Sequence, residues 1–291
     1  MSANRTDPGY SVVKECMVKK LSIAVLLSLV SFCHGKTLLW DLGGVLVDAS
    51  KIGIAQEVGL GRFAAHLLRD FTTPARLQAR LFQVLGYLEK HQKDLKAETG
   101  DGMLLPVIMC QWQAGTITGK EIVTRALVLI EKLDKKGFFD SFRERDVIRE
   151  TIRKMFDPVL LAQHTHPIKK GYKLLDACMQ ARNKDGSLKN QSFIFSNFDR
   201  LGFKWLFTTK AGLFTHFKAC IISGQLGMIK PYPDIFTYFT QTYKINPSDC
   251  ILIDDQKVNT DAARKMGFKA ILVEKGNFKK VRRELIALGA L

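Results

Sequence analysis

Apolar residues fall along this chain in two rhythms. Short unbroken runs, rich in β-branched and large aliphatic side chains, stand at 37–40, 192–195, 219–223, 250–253 and 270–273, as in strands buried on both faces. The last four alternate with helical patterns at βαβ spacing, which predicts a parallel sheet with crossover helices. The first run is cut off from them by about 150 residues in which apolar positions recur at intervals of three and four. Within that stretch Thr73 precedes Pro74, and Leu77, Leu81, Val84, Leu85 and Leu88 share one helical face. Thr118 and Glu121 have the spacing of a capping box ahead of Ile122, Ala126, Leu127 and Ile130. Further helices are predicted over 144–155 and 167–181, and the polar stretch 183–191, with Asp185-Gly186, turns the chain back to the sheet. The expected organisation is an α/β core with a doubly wound parallel sheet, built from 36–49 and 184–291. A helical insertion at 50–183 interrupts it and an extension at 1–35 precedes it.

The extension reads as an export signal. Lys19 and Lys20 precede the apolar run 21–33, and Gly35 offers a small residue at a cleavage point before Lys36. Thirteen apolar residues are too few to span a bilayer, so no stable membrane anchor is expected. A periplasmic or secreted protein follows if the signal is cleaved; an amino-terminal helix packed on a cytoplasmic protein is the alternative. Met17, just ahead of the two lysines, is a second candidate start.

The formal charge is +16 over 291 residues, but the basic side chains are scattered among helical segments, with short clusters such as Lys279, Lys280, Arg282 and Arg283. No basic and aromatic motif accompanies them, so nucleic-acid binding is not expected and an anionic small molecule fits better. Of six cysteines, Cys16 and Cys33 would leave with the signal, and Cys110, Cys178, Cys220 and Cys250 show no paired spacing. His164 and His166 have no nearby acidic or cysteine partner and read as a loop before the helix at Pro167; His66, His91 and His216 are isolated. Trp112, Trp205 and the phenylalanines at 203, 207 and 214 fall at helical spacing, which favours packing.

Four segments carry chemistry: WDLGGV at 40–45, FSN at 195–197, KP at 230–231 and LIDDQKVN at 252–259. Each lies at or near the carboxyl end of a predicted strand, where open α/β sheets gather their ligands. Asp41 is a carboxylate able to attack phosphorus and form an acyl phosphate. Gly43 and Gly44 let the backbone turn tightly and present N–H groups to an anion. Ser196 brings a hydroxyl and Lys230 an ammonium. Asp254 and Asp255 would repel each other unless a cation or solvent neutralises them, and magnesium takes one or two carboxylates together with phosphate oxygens. Taken singly, each has a structural reading: a strand-end aspartate, a Ser-Asn turn, an exposed lysine, a solvated helix cap.

In order and spacing the four segments resemble the haloacid dehalogenase-like hydrolases, in their phosphatase branch. The resemblance implies a Rossmann-like core of strand order 5-4-1-2-3 with a helical cap inserted after the first strand, and it places Cys220 and Cys250 too far apart for a disulfide. It implies Asp41 as nucleophile with Ser196 and Lys230 in the catalytic set, and phosphate binding by Leu42, Gly43, Ser196, Asn197 and Lys230. Mg²⁺ would be held by Asp41, the carbonyl of Gly43, Asp254 and Asp255, and the substrate would be a small phosphorylated metabolite. Asn259, Ala262, Ala263 and Gly267 match the helix after the last segment, and 112–121 is cap-like. Gly43 departs from the pattern, because family phosphatases usually carry there a second aspartate that protonates the leaving alcohol. Such help is worth roughly two to four orders of magnitude. Its absence implies slow turnover, a good leaving group or another acid, of which Asp48 is the nearest along the chain. Two functions follow: a Mg²⁺-dependent phosphomonoester hydrolase, or a catalytically weak relative that binds a phosphorylated ligand or a protein. Carbon–halogen hydrolysis ranks third, since that branch needs no metal and would leave the Asp254-Asp255 pair idle.

Overall fold

The computed structural model describes residues 35–49, 51–88 and 103–291, which belong to one unit, Gly35–Leu291. The expected export signal, Cys16, Cys33 and His91 lie outside the described residues. Strand β1 (Lys36–Trp40) leads through a tight turn to β2 (Val47–Ala49). Among the described residues seven helices follow: α1 (Lys51–Val58), α2 (Leu60–Arg69), α3 (Pro74–Gly86), α4 (Val107–Gln113), α5 (Gly119–Asp134), α6 (Phe142–Met155) and α7 (Pro158–Gln163). Next come β3 (Thr165–Pro167), α8 (Lys169–Gln180), β4 (Asn190–Ser196), α9 (Arg200–Thr209), β5 (Cys220–Ile222) and the short α10 (Ser223–Leu226). The chain closes with α11 (Pro233–Tyr243), β6 (Cys250–Asp254), α12 (Lys257–Lys265), β7 (Lys269–Leu272) and α13 (Phe278–Ala287).

Five strands form one parallel sheet in the order β5-β4-β1-β6-β7, with Trp40 opposite Ile194 on one side and Ile253 on the other. Read from its other edge, this is the expected 5-4-1-2-3 order, and the core is the doubly wound Rossmann-like sheet. Successive side chains point to opposite faces, so an unbroken apolar run requires two covers. Leu38, Trp40, Ile194, Ile251 and Ile253 pack with Leu174, Leu175, Val281 and Leu285 from α8 and α13. Leu39, Phe193, Phe195 and Leu252 pack with Ile235, Phe236, Phe239 and Ala263 from α11 and α12. Each such side chain contributes about 1.5–3 kcal/mol of burial, which anchors the strand ends that carry the chemistry.

The inserted helices hold a second cluster, in which Leu81, Val84 and Leu85 of α3 meet Ile122, Ala126 and Ile130 of α5 and Val147, Ile148 and Ile152 of α6. Their starts follow the cap signals: Thr73 accepts the Arg76 N–H, and Thr118 and Glu121 form both halves of a capping box. Helix α6 begins at Phe142, ahead of the expected 144, because Ser141 accepts the Glu144 N–H and serves as its cap.

Several features differ from what the sequence predicts. Helix α8, expected within the insertion, buries Leu174, Leu175 and Cys178 in the sheet's own cluster, so its packing places it with the core. It starts at Lys169 because Thr165–Pro167 pairs antiparallel with Val47–Ala49. His166 therefore lies in a strand opposite Asp48, where a loop was expected. His164 does have an acidic partner, Glu57, at 3.1 Å. Helices α1, α2, α4 and α7 are not among those that the sequence pattern predicts one by one. Among the described residues Cys110, Cys178, Cys220 and Cys250 form no disulfide, and Cys220 and Cys250 lie on β5 and β6, on either side of β4 and β1. Among the described residues no helix is long and apolar enough to cross a membrane.

Candidate active site

The site is built where β1, β4 and β6 end side by side. Asp41 follows β1 and is fixed by its own N–H, which donates to the Ile253 carbonyl at 2.9 Å. The chain then reverses, with the N–H groups of Val45, Leu46 and Val47 all donating to the Leu42 carbonyl and Gly44 N–H donating to Val47 O. Gly44 takes φ +67°, and a Cβ there would come 2.3 Å from Asp255 Oδ2, so both conformation and space demand glycine. Gly43 is different: it is exposed, and apart from its chain neighbours no described residue lies within 4 Å of where its Cβ would be.

Lys230 reaches into this floor from the loop between α10 and α11 and is fully buried. Its ammonium donates to Asp41 Oδ1 at 3.0 Å, to the Phe195 carbonyl at 2.8 Å and to Asp254 Oδ2 at 2.5 Å. Three donors meet three acceptors, which is the full complement of a lysine. Asp254 is equally occupied. Beside the lysine, it accepts the Gln256 N–H at 2.8 Å and the Asn259 amide at 3.1 and 3.2 Å. Ser196 is buried at the end of β4, beside Asp41, and helps to lower the Asp41 pKa. Asn197, the next residue, pairs through its side chain with the Lys230 backbone, accepting its N–H and donating to its carbonyl, each at 2.8 Å.

The electrostatics are set by three carboxylates around one cation. Oxygen atoms of Asp41, Asp254 and Asp255 all lie within 4.8 Å of one another. Burial raises Asp41 to about 6; Lys230 pulls it down and Asp254 pushes it up. Asp255 is raised to about 8, first by burial and then by Asp41 and Asp254. For Lys230, burial works against the charge, but the Asp254 and Asp41 carboxylates outweigh it and hold the ammonium above its ordinary range. The cluster thus carries an excess of negative charge that the single lysine leaves unmatched.

All eight residues expected at the site, Asp41, Leu42, Gly43, Ser196, Asn197, Lys230, Asp254 and Asp255, belong to these converging segments. Asp48, named as a substitute acid, is exposed on β2 opposite His166. Three participants carried no assigned role in the sequence reading: the Phe195 carbonyl, Asn259 and Ser223. An asparagine five residues beyond Asp254 was the only local signal of the second. Ser223 accepts the Phe198 N–H at 2.9 Å and donates to the Gln113 carbonyl at 2.6 Å, joining the loop after β4 to the inserted helices. Beside this junction, a cleft of about 750 Å³ separates Gln111, Thr116 and Arg125 of the insertion from Ile229, Tyr232 and Asp234 of the core.

The family model for haloacid dehalogenase-like hydrolases matches residues 36–267. A D-ribitol-5-phosphate phosphatase of Bacteroides thetaiotaomicron is 24% identical over 244 residues, covering 83% of this chain and 93% of that protein. The bifunctional epoxide hydrolase 2 of mouse is 41% identical over 70 residues, 24% of this chain and 12% of its own length. The chain thus aligns with only about a tenth of the mouse and rat epoxide hydrolases that it matches. Among solved structures, a HAD-family enzyme of Bacteroides thetaiotaomicron in complex with magnesium and inorganic phosphate superposes with a TM-score of 0.48 at 21% identity. That match covers 84% of this chain and 96% of the other.

Proposed function

Because this chain belongs to the haloacid dehalogenase-like hydrolases, we propose that it is a Mg²⁺-dependent phosphomonoester hydrolase with Asp41 as nucleophile. The observation that carries this reading is the Asp41 carboxylate held at 3.0 Å by a buried lysine, at a strand end shared with Asp254 and Asp255. The lysine keeps one Asp41 oxygen in place and lowers the charge repulsion that an approaching phosphate dianion meets. An Asp41 oxygen forms a bond to phosphorus as the ester P–O bond breaks, and the departing oxygen takes the electron pair. Water then attacks phosphorus in the acyl phosphate, the P–O bond to Asp41 breaks with its electron pair returning to the carboxylate, and the proton of the water passes to solvent as inorganic phosphate leaves. Ser196 and backbone N–H groups at Gly43 and Asn197 are the proposed donors to the phosphoryl oxygens.

The donor set fits magnesium, since it is all oxygen and carries negative charge in excess. Asp41, Asp255 and the Gly43 carbonyl are the ligands we propose, because the Asp254 oxygens are already taken by Lys230, Gln256 and Asn259. Bound there, the cation would supply positive charge against the phosphate and the nucleophile. We assign the helical insertion as the cap over this site, and similarity to a D-ribitol-5-phosphate phosphatase supports a small phosphorylated substrate. A second reading, binding without efficient turnover, is favoured by Gly43, which brings no acid to the leaving group.

Hydrolysis of an aryl phosphate with and without Mg²⁺, beside Asp41→Asn, separates the two. An aryl leaving group needs little protonation, so Gly43 does not mask an active nucleophile. Mg²⁺-dependent release lost in the variant supports the hydrolase; folded, magnesium-loaded protein that releases nothing supports the binder.

A further inference from the structure

Lys230 is held from both ends by the same stretch of chain. At its tip the ammonium donates to the Phe195 carbonyl at 2.8 Å; at its root the backbone N–H and C=O are both bonded by the Asn197 side chain at 2.8 Å. Phe195 and Asn197 flank Ser196, so the end of β4 grips a lysine more than thirty residues away along the chain. The amide orientation is fixed by its partners, since an N–H can only meet Oδ1 and a carbonyl only Nδ2. A lysine has four flexible side-chain bonds. Its ammonium meets three fixed acceptors only while the backbone stays within reach of them, and the Lys230 backbone is held by this amide.

We propose that Asn197 is a positioning residue whose side chain fixes Lys230 over Asp41 and Asp254. This adds to the backbone N–H that Asn197 would offer to phosphate. The consequence for catalysis rests on the hydrolase reading; the consequence for Lys230 does not. Loss of the amide lets the lysine backbone drift, and an ångström of misplacement at a reacting centre lowers turnover about a hundredfold.

The test compares the full chain with Asn197→Ala and Asn197→Asp. Aryl phosphate hydrolysis gives kcat and KM, and mass spectrometry of the peptide containing Lys230 follows its acylation by an amine-reactive ester. In the wild type Lys230 is fully buried and is expected to stay unlabelled in the folded protein. Asn197→Ala should lower kcat about 10- to 100-fold with KM within a factor of about three, and Lys230 should be labelled several-fold faster than in wild type. Asn197→Asp keeps the volume and one acceptor but sets an oxygen against the Lys230 carbonyl, so it should show the same direction of change if the alanine variant fails to fold. A rise in KM with kcat unchanged would show that Asn197 acts on the substrate and overturns the proposal. Unchanged labelling and kcat overturn it as well. Should the wild type hydrolyse nothing, labelling alone decides, so failure of the hydrolase reading is distinguishable from failure of this one.

Discussion

Lys230 and Asp254 meet at 2.5 Å with neither side chain exposed to solvent. Their contact divides the adjacent aspartates: Asp254 holds the lysine from beneath, and Asp255 faces the turn at Gly44. A buried ion pair is weak support for stability as a whole, but removal of one partner leaves a charge with nothing to answer it and costs about 3–5 kcal/mol. Lys230→Met should therefore abolish hydrolysis and lower unfolding free energy in urea by that amount. Adding Asp254→Asn should recover part of the stability and none of the activity. Equal stability of Lys230→Met and wild type would refute the pairing.

The two glycines of the turn should respond oppositely to a methyl group. Gly43→Ala meets open space and is expected to leave the unfolding midpoint within experimental scatter. Gly44→Ala forces a residue with a side chain to φ +67° and drives its Cβ against Asp255. The left-handed conformation alone costs about 1–2 kcal/mol, and the clash should also weaken the magnesium-induced thermal shift. Similar behaviour of the two variants would contradict the geometry.

Space at Gly43 also permits the missing acid to be restored. Gly43→Asp should raise turnover of an alkyl phosphate by about two orders of magnitude while changing aryl phosphate turnover little, so the dependence of rate on leaving-group pKa should flatten. Equal stimulation of both substrates would point to metal binding, and stimulation of neither would locate the limiting step elsewhere.

Stability should vary with pH in opposite senses in the two clusters. In the insertion, hydrogen bonds from Arg143, Ser141 and His66 hold Asp70 well below its ordinary value of 3.8. A lowered carboxylate stabilises the fold above its unfolded value and loses that contribution as pH falls toward the folded one. Asp70→Asn should flatten the acid side of the stability curve, below pH 3.8.

In the site, burial raises Asp41 to about 6 and Asp255 to about 8. These groups bind more protons folded than unfolded, so metal-free stability should fall as pH rises from 3.8 through 8. A cation that takes the protons' place should then increase the melting temperature more above pH 8 than below pH 6. A magnesium shift independent of pH would argue against the raised carboxylates.

Much of this protein is written locally. Five apolar runs specify five buried strands, since a run without polar interruption can only sit between two layers. The caps at Thr73 and Thr118 mark helix starts because their hydroxyls act within one turn. Asp41, Ser196 and the Asp254-Asp255 pair are visible for the same reason: each sits at a strand end, and strand ends are local; Lys230 lies in the loop between α10 and α11 and shows only as the lysine of a Lys-Pro pair. The pairing of 47–49 with 165–167 was not legible, because three residues are too few to show alternation. The sequence leaves helix α8 in the insertion because its amphipathic pattern says that one face is buried, without saying against what.

The sequence by itself determined the kinds of chemical group and the strand ends that deliver them. Only the tertiary structure decided how they are shared: Asp254 to Lys230, Asp255 to the turn, and the Asn197 side chain to the lysine backbone. These are contacts between segments tens to hundreds of residues apart. Hydrogen bonds of 2.5–3.0 Å between them depend on the register of three neighbouring strands, a quantity that no local pattern carries.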